Sequence, residues 1–156
     1  MEMFRGLRRM AWVAGLSLAA LSLPARAWYH AAEAQTSAAA AADSVKRQLQ
    51  TAAFHARNAA NQAALPSAVM HLGHSLNCLE GPRGANFDRS WGHVCEGQGQ
   101  GILVDLRGLA QAGQVQPVLE AAGSLALAGV KSGDLATTRN AAKGVAALLE
   151  LVLGTL

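Results

Sequence analysis

The side chains able to do chemistry are concentrated in one stretch, Val69–Gly101, VMHLGHSLNCLEGPRGANFDRSWGHVCEGQGQG, which holds both cysteines and three of the five histidines. His71 and His74 stand three residues apart, so a helix presents them on one side. His55 precedes Leu65 by ten residues and His74 follows it by nine, so a helical hairpin folded near Leu65 sets those two imidazoles at similar heights. His55, His71 and His74 are therefore the candidate metal ligands. Neutral imidazole is the commonest side-chain ligand for metals, and the cores of helix bundles are habitual metal and cofactor sites. Such donors suit copper, zinc or nickel. Met70 adjoins them and suits a soft copper ion, and His30 is a further imidazole near the start of the chain. The alternative reading is a set of ordinary helix-face histidines, because no carboxylate on the first helix lies near His55 and there is no E-x-x-H pair.

Cys78 and Cys95 are 17 positions apart. Two cysteines in a small exported chain form a disulfide in the leading reading. The rival is a Cys₂His₂ zinc site built from His74, Cys78, His93 and Cys95. Phe87 and Trp91 lie between the cysteines and are the candidate anchors of a protein-interaction surface.

No nucleophile and base pair up in a recognisable pattern. C-x-x-C-H, G-x-S-x-G, the phosphate loop, the dinucleotide fingerprint and H-E-x-x-H are all absent. The expectation is a protein without catalytic activity.

The elements that must position these residues are helical. Trp28–Ala63 is Ala-rich without Gly or Pro, the composition of a strong helix, and predicts a first helix from about Ala32. Val45, Leu49, Ala52, Ala56, Ala59 and Ala63 recur at 4-3-4-3-4 spacing on one face. Pro66 suits the first turn of a second helix, predicted over Pro66–Leu79. Gly81, Pro82 and Gly84 begin a loop that runs to Gly101, and a loop of that length inside a domain is often functional. Helical signal resumes at Ile102, Leu106 and Leu109. Gly113–Pro117 interrupts it, and a third helix is predicted over Pro117–Val130. Asp134 is a ready N-cap for a last helix carrying Leu135, Thr138, Ala142, Val145, Leu149 and Val152. The expected fold is an all-α antiparallel four-helix bundle with a long disulfide-stapled crossover loop.

The leading residues read as a signal peptide over 1–27. Arg5, Arg8 and Arg9 precede an uncharged run, Met10–Leu23, that ends at Pro24 and the small-x-small triplet Ala25-Arg26-Ala27. At 14 residues the run is short for a span, which needs about 20. Four of the 13 Lys and Arg and one of the 10 Asp and Glu fall in this leader, leaving nine of each sign. A near-neutral mature domain, 28–156, has no electrostatic footprint for nucleic acid or for an anionic membrane. The expectation is a single exported domain, periplasmic or secreted, with no membrane attachment after cleavage.

His71, His74, Asn77, Glu80 and Gly81, followed by Asn86, Phe87 and Asp88, resemble a motif of small exported bacterial helical proteins of unknown function. In these, an H-x-x-H-x-x-N-x-x-E-G helix precedes a Gly-containing loop. The resemblance covers about 30 residues and implies an exported helical bundle without naming an activity. The leading expectation is thus an exported, non-catalytic helical bundle that binds a transition metal through the histidines. The alternative is an interaction module using Phe87 and Trp91.

Overall fold

A computed structural model describes residues 25–156; the leader predicted over 1–27 lies, apart from its last three residues, outside them. Among the described residues there are five α-helices and no strands: α1 (Ala25–Asn61), α2 (Leu65–Glu80), α3 (Ile102–Asp105), α4 (Ala112–Lys131) and α5 (Leu135–Leu153). Two 3₁₀ turns, Arg89–Trp91 and Leu106–Gly108, complete the order. No helix among them is long and apolar enough to cross a membrane.

The alanine-spaced stripe of α1 is its buried face. Val45, Leu49, Ala52, Ala56 and Ala59 are fully buried, whereas Ala63 falls beyond the helix and is exposed. Helix α1 begins earlier than expected because no Gly or Pro follows Pro24 to interrupt it. Its early residues 35–40 are exposed, and burial starts at Val45. The same core takes the large side chains Leu72, Leu76 and Leu79 of α2, Leu119 of α4 and Leu149 of α5, all fully buried. Small residues allow the close approach. At Gly129 a methyl group would come within 2.6 Å of Leu72 and 2.7 Å of Ala141.

Several boundaries follow their sequence signals. Pro66 occupies the first turn of α2. The Asp134 side chain accepts the Thr137 N–H at 2.7 Å as the N-cap of α5. The expected break at Gly113–Pro117 does not occur, since α4 runs through both residues. Pro117 is only the sixth residue of the helix, so it removes one hydrogen bond, to the Gly113 carbonyl, close to an exposed helix start where little is lost. Helical structure after Gly101 lasts a single turn, α3, before the chain turns at Leu106–Gly108.

Between α2 and α3, residues 81–101 contain no α-helix, yet they are held at every quarter. The two ends cross backbone to backbone: Gly81 (φ +69°) and Gly101 (φ +115°) adopt conformations that L side chains rarely do, and a methyl on Gly101 would stand 2.6 Å from the Gly81 nitrogen. Cys78 and Cys95, both buried, are joined by a disulfide, which rules out the Cys₂His₂ zinc alternative because neither thiolate is free. Gln48, fully buried on α1, donates to Asp105 Oδ2 at 2.7 Å and accepts the Gly101 N–H at 3.1 Å. Ser44 donates to the Gln98 carbonyl at 2.5 Å, and Thr51 to the Gln98 side chain at 3.0 Å.

Closing a loop of this size is worth about 3 kcal/mol of chain entropy. A Cys78→Ser/Cys95→Ser variant is accordingly expected to lose about that much stability. Chemical denaturation of the oxidised protein and the double variant in parallel checks the value.

Candidate metal centre

The three histidines expected from the sequence meet. His55 projects from α1, His71 and His74 from α2, and the Nδ1 atoms of His71 and His74 both approach that of His55. His55 Nδ1 lies 3.1 Å from His71 Nδ1 and 3.2 Å from His74 Nδ1. One ligand atom from each ring falls within 4.8 Å of the other two, and all three side chains are half-buried. The rings do not stack as a unit. His74 stands edge-on to His55, with centroids 4.6 Å apart and planes at 74°, whereas His71 lies nearly parallel to His55 at 5.4 Å.

Two features bring the rings this close. The alanines of α1 let the α2 backbone approach, and Ser75, buried beside His74, donates its Oγ–H to the Ala52 carbonyl at 2.8 Å. That bond bolts α2 to α1 next to the site and sets which residues face each other. Ser75 is invisible to a hydrophobic-periodicity reading, which places polar residues outside.

The loop supports the same helix. Along α2 the i, i+3 row His71, His74, Asn77, Glu80 changes role halfway. Asn77 is fully buried; its Nδ2 donates to the carbonyls of Asp88 and Gly92, each at 2.7 Å, and its Oδ1 accepts the Asp88 N–H at 3.0 Å. Glu80 accepts the backbone N–H of Asn86 at 2.8 Å and its side-chain amide at 2.5 Å. Asn77 thus brackets the Arg89–Trp91 turn and sets Trp91 against α2, where the indole lies on Gly73 so closely that a methyl there would overlap the ring. The Trp91 backbone lies near enough to His74 to favour its protonated form. With Nδ1 turned to His55, the Nε2 side of His74 faces this loop, 3.6 Å from where a Gly92 side chain would begin.

Phe87 and Trp91, the candidate anchors of an interaction surface, are both half-buried. Phe87 packs edge-to-face with His93, centroids 5.2 Å apart, and lines a cleft of about 430 Å³ with Arg89, His93 and Glu96. His93 stands apart from the histidine trio, and the side chain of His30 lies outside the described part of the structure. Gln48 and Ser75 are the functional supports that sequence reading missed. Gln48 was the more legible of the two, the polar residue that falls on the apolar face one turn from both Val45 and Ala52.

Burial keeps two of the three rings, His55 and His74, neutral. Burial, then the charges that His74 and His71 would carry, push His55 down from 6.5 to about 4. Burial likewise lowers His74; the nearby Trp91 backbone acts the other way, and His71 adds to the lowering. Imidazoles held unprotonated at neutral pH are ready to ligate. Compared with known proteins, the chain matches no family model, no curated protein and no solved structure.

The sign of the pH dependence follows. Between about 6.5 and about 4 the unfolded chain takes up a proton at His55 that the folded chain refuses, so stability falls as pH falls through that window. In the metal-free protein the melting temperature is expected to drop across it. His55→Gln, which removes the titration, should flatten the slope. Melting curves at half-unit pH steps check this.

Proposed function

We propose that the protein binds a transition-metal ion (copper, zinc or nickel) through the Nδ1 atoms of His55, His71 and His74, and that it does so as an exported, non-catalytic helical protein. The observation that carries the reading is the convergence of three Nδ1 atoms from two helices, at 3.1 and 3.2 Å from the central one. Bound at about 2.0–2.1 Å from a metal, nitrogens so spaced subtend about 100° at the ion, close to the tetrahedral angle that zinc adopts. Without a metal the same nitrogens have weaker reason to gather, because three neutral rings share only the hydrogen bonds their tautomers allow.

Export rests on the basic leader with its small-x-small end and on the disulfide, which persists in oxidising compartments. The three-residue links at 62–64 and 132–134 favour α1–α2 and α4–α5 as antiparallel pairs, the arrangement of a four-helix bundle crossed by the segment between α2 and α4. The likeness of His71–Gly81 to exported bacterial helical proteins belongs to the same reading. An interaction role for Phe87 and Trp91 has less support, because the Trp91 indole is already engaged on Gly73.

Zinc, copper and nickel added separately to the oxidised mature protein, followed by elemental analysis and thermal melting, test the proposal. One ion per chain is expected. At a hundredfold excess over Kd, binding stabilises by about 2.7 kcal/mol, which raises Tm by about 10 °C in a domain of this size. His71→Ala/His74→Ala should abolish both effects. No retained metal and no shift in melting with any of the three ions would overturn it.

A further inference from the structure

The donor set of the trio is incomplete, and its surroundings say what completes it. We propose that a metal held by His55, His71 and His74 keeps a solvent-facing coordination position that takes water or a small monodentate anion, which makes the site an open centre. This rests on the metal-binding reading above.

The first argument is donor count. Zinc and its neighbours take four or more ligands, and among the described residues the group offers three. The other donors nearby in sequence are committed elsewhere. Cys78, four residues after His74, is in the disulfide. Glu80 holds Asn86, Asp88 caps the Arg89–Trp91 turn through the Ser90 N–H, and Asp105 receives Gln48 and the Gln100 N–H. His93 packs on Phe87.

The second argument is geometry. His55 Nδ1 lies 3.1 and 3.2 Å from the other two, so those two pairs subtend about 100° at an ion about 2.0–2.1 Å away, and all three rings are only half-buried, which leaves the cluster within reach of solvent. The third is charge. Three neutral imidazoles with no carboxylate among them leave the full charge of a divalent ion in place, the largest local charge in such a site, and that charge draws an anion to the open position.

One protein side chain competes. Met70 precedes His71 by one residue and His74 by four and is 44% exposed, so its thioether is the nearest competing donor in sequence. The two outcomes differ spectroscopically.

Cobalt(II) loaded into the oxidised full-length chain reports its coordination through visible ligand-field bands, and sodium azide serves as the anionic probe. The expected result is bands that shift saturably with one azide per cobalt, equally in the natural protein and in Met70→Leu, and that are absent from His74→Ala. Bands indifferent to azide in the natural protein and responsive only in Met70→Leu would overturn the proposal by placing the thioether on the metal. Bands indifferent to azide in both would overturn it as well, leaving the metal site itself intact. Failure to develop cobalt bands in either protein would remove the metal-binding reading along with this one.

Discussion

The structure depends on how closely the backbones of α1 and α2 approach. Imidazole nitrogens on two helices come within about 3 Å of one another only if the helices pack with little between them. Ala52, Ala56 and Ala59 give α1 a face of methyl groups there. Larger side chains on that face would part the helices and spread the rings. Close packing of small side chains does not by itself choose a register, because alanine faces can slide. The Ser75–Ala52 hydrogen bond supplies the choice, since a slip of one residue would exchange its 2.8 Å acceptor for the long 3.5 Å contact to the His71 carbonyl of its own helix.

The same logic explains why so irregular a segment as 81–101 is so heavily tied. Its disulfide, its glycine crossing, and the Asn77 and Gln48 amides all fix backbone that forms no helix or sheet to satisfy itself. What they fix is useful to the site. Asn77 holds the Arg89–Trp91 turn, and the turn sets Trp91 on Gly73 with its backbone beside His74. The row His71, His74, Asn77, Glu80 is one helical ridge whose first half carries two of the proposed ligands and whose second half holds the adjoining loop. The lowered affinity of His55 and His74 for protons comes from the same enclosure, which keeps the rings neutral without neighbouring acids.

Much of this was legible in the sequence, and the limits were physical. The 4-3 spacing from Val45 to Ala59 marked the buried face of α1, and the offsets of ten and nine residues of His55 and His74 from Leu65 placed the two rings at similar heights. Asp134 and Pro66 marked helix starts because their chemistry is local. Pro117 misled because its cost depends on where in a helix it falls, and the sequence showed the proline without the helix start. Gln48 and Ser75 escaped because periodicity counts polar residues as outward, while these two are buried and satisfied by partners 57 and 23 residues distant. The convergence on Nδ1 is a matter of side-chain rotation, which spacing does not encode. The fall of α3 to a single turn reflects tertiary packing around Ile102 and Leu106, both fully buried.

The most direct test of the account is to locate the ion. Crystals of the oxidised protein grown with zinc, with diffraction recorded on both sides of the zinc absorption edge, would place it by anomalous scattering. The account predicts one strong peak about 2.0–2.1 Å from the Nδ1 atoms of His55, His71 and His74. A peak at His93 or elsewhere on the surface, with the three Nδ1 atoms unligated, would contradict it.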